Sequence, residues 1–215
     1  MNATELATLP AGFATPGPTS QAVFRRTLEA LSRPGRTQSL ALPQLAAFAP
    51  PPPLSTAMAA LLLTLLDGET SLWLSPAFDT QMLRAWLPFH TGVNFTQRIA
   101  QADFVAARAD ELDPELWSAL GRGSDEQPQD GATLLLEVRG LGHGLGHRRI
   151  DGLALTLAGP GIETRQRLAV AGVNAEVWQL RRDDEALFPR GVDLLLCCGD
   201  ALVALPRSTN LTLEG

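Results

Sequence analysis

A chain of 215 residues, 45% hydrophobic and 19% charged with 19 Gly and 16 Pro, carries enough apolar material for a sizeable core, and at this length roughly 70% of the unfolded surface is buried without a metal or disulfide framework. A net charge of −6 and a pI near 5.1 exclude the electrostatic footprint of a nucleic-acid or anionic-membrane binder, leaving only local Arg pockets for small anions. All 17 basic residues are Arg and there is no Tyr, which excludes a Schiff base to pyridoxal phosphate, a phosphate-loop Lys, a Lys general base and a phenol acid.

Residues 1–19 read as an extended segment. From Ser20 as N-cap, Phe24, Leu28 and Leu31 at i, i+4 and i+7 predict an amphipathic helix with Arg25, Arg26 and Glu29 outside, stopped by Arg33-Pro34-Gly35. A short strand follows at 38–42. After the stiff Pro50 to Pro53 stretch, Ser55 or Thr56 caps a run of Ala, Leu and Met ending at Asp67-Gly68. That helix is apolar on nearly every face, as suits a central core helix or one lying between sheet and partner subunit. Ser71 to Leu74 reads as a strand. Asp79 to Leu87 reads as a helix with Met82, Leu83 and Trp86 inward, and 88–92 as a loop. Ala102 to Ala107 is strand-like, Asp113-Pro114 starts a helix through Leu120, and 121–131 is a polar, flexible connection. Strands at 133–138, 153–157, 194–198 and 201–205 surround one helix at 174–187. Several of these runs are apolar on both faces, which predicts a single α/β domain with a central mixed sheet and helices on both sides.

Gly199-Asp200 suits a tight hairpin, which sets Cys198 opposite Ala201 and Leu194 opposite Leu205. Arg190, Asp193, Arg207, Ser208 and Thr209 then gather at its open end. Two guanidinium groups and two hydroxyls suit a phosphate or phosphonate; alternatively, Asp193 pairs with an Arg and pins the hairpin. His90, in the 88–92 loop, is the one His placed for acid or base work, with a structural hydrogen bond as the other reading. His143 and His147 stand four apart but are interleaved by Gly140, Gly142, Gly144 and Gly146, so a Gly-rich turn is preferred and no metal site is assigned. Gly159-Pro160-Gly161-Ile162 reads as a strand-to-helix turn able to offer N–H groups to an anion, and Asp183-Asp184-Glu185 as a solvated helix end. Cys197 and Cys198 are adjacent in a strand, on opposite faces, and read as reduced core residues. The first twenty residues lack a basic and an apolar leader region, and the run 54–66 falls short of the ~20 residues of a membrane span. A cytoplasmic protein without membrane segment or cofactor is expected.

Phe24-Arg25-Arg26 through Leu31-Ser32, closed by Pro34-Gly35, resembles the opening motif of the PhnH family, the H subunit of the bacterial carbon–phosphorus lyase system. Leu62-Leu63-Thr64-Leu65 with Asp67, Trp73-Leu74, Phe89-His90-Thr91, Gly131-Ala132-Thr133-Leu134, Gly159 to Ile162, and Phe188-Pro189 through Asp193 to Pro206-Arg207-Ser208-Thr209 resemble that family's pattern in order and span nearly the whole chain. The Gly140 to His147 stretch stands outside it. The resemblance implies a three-layer α/β/α sandwich like the large domain of pyridoxal-phosphate-dependent transferases, without the cofactor. It also implies a homodimer that joins the G, I and J subunits in phosphonate breakdown. There the G, H and I subunits, with an ATP-binding-cassette-like L subunit, are linked to transfer of ribose triphosphate from ATP to a phosphonate with release of adenine. It assigns no catalytic group to the H subunit. Two functions follow as expectations: an assembly subunit presenting apolar patches to partners, or a chain binding ATP or phosphonate through Arg207, Ser208 and Thr209 with His90 as proton carrier.

Overall fold

The computed structural model describes residues 9–142 and 152–214. Its helices are α1 (Pro16–Ser32), α2 (Thr56–Leu65), α3 (Gln81–Thr91), α4 (Pro114–Ala119) and α5 (Ala175–Asp183). Its strands are β1 (Gln38–Ser39), β2 (Ser71–Leu74), β3 (Asn94–Phe95), β4 (Phe104–Arg108), β5 (Thr133–Glu137), β6 (Gly140–Gly142), β7 (Leu153–Ala158), β8 (Gln166–Ala171), β9 (Asp193–Cys198), β10 (Ala201–Leu205) and β11 (Asn210–Leu213).

Seven strands form a mixed sheet in the order β1-β10-β9-β5-β4-β2-β3. The stretch from β9 to β3 is parallel throughout, and β10 and β1 add antiparallel pairs at one edge. Strand alternation divides the interior into two cores. Ala106, Leu135, Leu195 and Cys197 join α1, α2 and α3 on one face; Val105, Ala107, Leu134, Leu136, Leu194 and Leu196 face the other way. The expected mixed α/β organisation is therefore present. The expected helical layer on the second face is not: that face packs against a four-stranded antiparallel sheet, β11-β7-β8-β6, together with α4 and α5. The segment 166–171 shows why. Leu168 and Val170 are buried, whereas Ala169 between them is half-buried and Arg167 before them is exposed, the alternation of a strand with one covered face. The turn at Gly159 to Ile162 accordingly joins β7 to β8, strand to strand, rather than leading into a helix.

Ser55 caps α2, its Oγ accepting the Met58 N–H at 3.2 Å, and residues 57–62 are all fully buried, as a central core helix requires. The hairpin register is the one expected, from Cys198 opposite Ala201 to Leu194 opposite Leu205. Gly199, at φ 63°, supplies the left-handed residue of the turn.

Helix α1 departs from its sequence pattern. It begins at Pro16 with Thr15 as N-cap, so 16–19 are helical rather than extended; proline fits the first turn because its missing N–H has no intrahelical role there. The predicted inward stripe is turned outward: Phe24 and Leu28 are 46% and 48% exposed, whereas Thr19, Val23, Thr27 and Ala30 are buried. Small side chains let α1 approach α2 and β10 closely. The Thr27 hydroxyl donates to the Val23 carbonyl at 3.0 Å and the Thr15 and Thr19 hydroxyls lie 3.2 Å apart, so burying the threonines leaves no unpaired group. Helix α3 also differs. It runs through Pro88 to Thr91 and closes on Gly92 in the left-handed region, so His90 sits in the last helical turn and Met82 is 38% exposed rather than inward. So close to the end, Pro88 costs the helix a single hydrogen bond.

The core beneath α1 and the outward face of α1 predict different mutational costs. Leu135→Ala, in the helical-side core, is expected to lower unfolding free energy by about 2–5 kcal/mol, and Phe24→Ala by less than about 1 kcal/mol, both read by urea denaturation.

Candidate functional sites at the two ends of the parallel strands

At the open end of the β9–β10 hairpin, register brings Asp193 beside Arg207. The carboxylate accepts the Arg207 backbone N–H at 2.7 Å, Nε at 3.1 Å and Nη2 at 2.6 Å. Arg207 also donates to the Pro128 and Gly131 carbonyls, so four of its five N–H donors (Nε, one on Nη1, two on Nη2) are engaged within the chain. Gly131 permits this approach, since a Cβ there would stand 2.3 Å from the Gly191 carbonyl and 2.8 Å from Arg207 Nη1. The 121–131 connection is tied down by these bonds. It is held again by Arg122, which donates to Asp184 and to the Trp117 and Leu120 carbonyls.

The other residues of this end are divided among separate tasks. Arg190 Nε lies 3.1 Å from Asp125 without an aligned N–H, Ser208 is half-buried, and Thr209 is buried with its hydroxyl unpartnered. Beneath them Arg181, a residue the sequence did not single out, is 2% exposed and donates to the Pro206 and Thr209 carbonyls at 2.9 and 3.0 Å. Burial pushes its pKa down, opposed by Glu185, Asp184 and Asp193 nearby. Asp184 and Glu185 are not merely solvated: Asp184 accepts from Trp117 Nε1 at 3.1 Å and Glu185 from the Leu211 N–H at 2.6 Å. His90 makes its contacts with other residues. Its Nε2 lies 3.2 Å from the Pro10 carbonyl, which also accepts from Trp86 Nε1 at 2.9 Å, and its ring contacts those of Trp86 and Phe89 edge-on.

The opposite, C-terminal ends of the strands carry a second constellation. Arg108 and Glu137, the last residues of β4 and β5, are direct register partners. Glu137 accepts a 2.7 Å hydrogen bond from Ser55 Oγ at the start of α2. Burial raises its pKa above the usual carboxyl value, against the opposing effects of Ser55 and Arg108. Asp110 accepts from Arg108 Nη2 at 2.8 Å and lies 3.9 Å from Arg139. Together with Pro53, Ala109 and Val138 these residues line a crevice of about 190 Å³. The sequence reading missed it, although the residue ending each parallel strand is where such sheets present ligand-binding groups. Cys197 and Cys198 lie on opposite faces beside it, both unbridged, with thiol pKa values raised chiefly by burial.

His143 and His147 lie outside the described residues. Among the described residues no group of three or more His, Cys, Asp or Glu could hold a metal, and no helix is long and apolar enough to cross a membrane.

The family model of the bacterial phosphonate metabolism protein PhnH matches residues 11–212. The chain belongs to the PhnH family. Among curated relatives, the alpha-D-ribose 1-methylphosphonate 5-triphosphate synthase subunit PhnH of Rhizobium meliloti (strain 1021) is 34% identical over 202 residues, 94% of each chain. The putative C-P lyase subunit protein HtxG of Stutzerimonas stutzeri is 33% identical over 220 residues, covering 100% of this chain and 98% of its own. The motifs from Phe24 to Thr209 that carry the PhnH resemblance all fall inside the matched span.

Two predictions follow from the two ends. Arg207→Ala is expected to lower unfolding free energy by about 1–3 kcal/mol, because it strands the Asp193 carboxylate; Arg190→Ala should change it by less than about 1 kcal/mol. Glu137 keeps its proton to higher pH in the folded chain than in the unfolded one, whose carboxyl titrates near 4.5. Stability therefore falls as pH rises from there through the raised folded value. Glu137→Gln, which cannot ionise, is expected to raise Tm at pH 8, with a gain that shrinks toward pH 4 in a series of thermal melts.

Proposed function

We propose that this PhnH-family chain is an assembly subunit of the carbon–phosphorus lyase core complex, a homodimer that joins G, I and J subunits. In this reading it supports, together with the L subunit, the transfer of ribose triphosphate from ATP to a phosphonate. The names of both relatives, a synthase subunit and a putative C-P lyase subunit, support it. So does the lack of any Lys, which fits a relative of pyridoxal-phosphate transferases that forms no Schiff base.

The observation that carries the reading is the outward apolar face of α1. Phe24 and Leu28 project beside a pocket of about 180 Å³ lined by Phe24, Thr27, Leu31, Leu65, Phe104 and Leu195, among others. Knob and hole on one helix are what a self-complementary twofold contact requires. We assign this face to a second copy of the chain. An antiparallel α1 pair centred between Thr27 and Leu28 sets Phe24 of each copy against Leu31 of the other. It also sets Arg26 against Glu29, groups that pair at 3.0 Å within one helix here.

Size-exclusion chromatography with light scattering tests the dimer. The wild-type chain is expected as a dimer, and Phe24→Asp as a folded monomer melting within a few degrees of it; a dimeric Phe24→Asp would move the contact elsewhere. Co-expression with G, I and J subunits tests the assembly. A stoichiometric complex supports the reading, and a chain that ignores all three overturns it.

A further inference from the structure

The crevice at the C-terminal ends of β4 and β5 has no part in the assembly reading and does not rest on it. In open α/β sheets, ligands bind outside the carboxyl ends of the strands, near the point where successive connections run in opposite directions. Here that point lies between β2, whose connection leads outward to β3, and β4, whose connection leads back to β5. The chain fills it with its own carboxylate: Glu111 accepts from Ser75 Oγ at 2.5 Å and from the Ala77 N–H at 2.8 Å. The neighbouring crevice, one strand over, stays open.

Its walls are fixed. The Ala109, Val138 and Arg139 N–H groups are bound to the Glu137, Cys197 and Ala171 carbonyls at 2.8 to 3.0 Å, so recognition falls to side chains. Two guanidinium groups, Arg108 and Arg139, flank the Asp110 carboxylate at 2.8 and 3.9 Å, and each carries more N–H donors than that carboxylate engages. Glu137, also in the lining, accepts from the Ser55 hydroxyl at the positive end of the ten-residue helix α2. Bulk sets an upper limit. A volume near 190 Å³ is below the roughly 300–1,000 Å³ of pockets for drug-sized ligands, so a whole nucleoside triphosphate is too large.

We propose that this crevice binds a small hydroxylated phosphate-class anion, its charged group held by Arg108 and Arg139 and its hydroxyl by Glu137. Guanidinium forks match phosphate oxygens, and the Glu137 carboxyl offers a separate acceptor to a hydroxyl carried on the same molecule, a contact that a phosphate held by both arginines does not span. Burial raises the pKa of Glu137, which lessens the repulsion an anion meets there.

Isothermal titration of the purified chain with sn-glycerol 3-phosphate, inorganic phosphate and glycerol tests this. Glycerol 3-phosphate is expected to bind at least fivefold more tightly than phosphate, and glycerol not at all. Arg139→Ala, an exposed position that does not threaten folding, and Arg108→Ala should each weaken glycerol 3-phosphate tenfold or more. Arg182→Ala, an exposed arginine on α5, should leave it unchanged. No binding of glycerol 3-phosphate up to 10 mM, or binding that Arg139→Ala and Arg108→Ala leave intact, would overturn the proposal. Equal affinity for phosphate and glycerol 3-phosphate would overturn the role of Glu137.

Discussion

Strands β4, β5 and β9 are buried on both faces, and that constraint orders the rest of the molecule. A strand covered on both sides offers solvent only its two ends, so groups meant for water, partners or ligands collect there or on the covering layers. Alternation along these strands sends Leu134 and Leu136 into one core and Leu135 into the other. Polar residues mark where the strands stop: Asp193 and Thr133 at one end, Arg108 and Glu137 at the other. The two polar ends have different characters. One is closed by an ion pair and carbonyls; the other leaves two guanidinium groups sharing a single carboxylate.

The elements legible in the sequence were those fixed by local chemistry. Gly199-Asp200 dictated a tight turn and thereby the register of five residue pairs. Ser55, Asp113 and Asn174 cap α2, α4 and α5 as their residue types suggest. The strands β8 and β11 escape the sequence reading because each opens on polar residues. Gln166-Arg167 and Asn210 resemble loop until the opposite face of Leu168, Val170 and Leu211 is seen packing under the main sheet. With those strands unseen, the second outer layer was read as helical.

Long-range pairing explains what remained illegible. Phe24, Leu28 and Leu31 form the best apolar stripe of α1, yet close packing on α2 and β10 favoured the smaller stripe of Val23, Thr27 and Ala30. A periodicity count weighs hydrophobicity and not how near two backbones must come. The hairpin-end residues were correctly gathered by register, but that Arg207 also reaches Pro128 and Gly131 depends on a segment far away in sequence. The crevice residues come from three separate segments and carry no motif; only the ends of adjacent parallel strands unite them.

Arg181 ties together parts that the sheet diagram separates. Its guanidinium sits on α5 and holds the carbonyls of the turn between β10 and β11, while Glu185, just beyond α5, holds the Leu211 N–H and Asp184 holds Trp117 and Arg122. Helix α5, strand β11 and the end of α4 therefore share one network and open as one cooperative unit rather than fraying singly. The last strand is thus no dispensable tail. It is a wall of the second core, joined through Leu211 to the hydrogen-bond network that reaches Trp117.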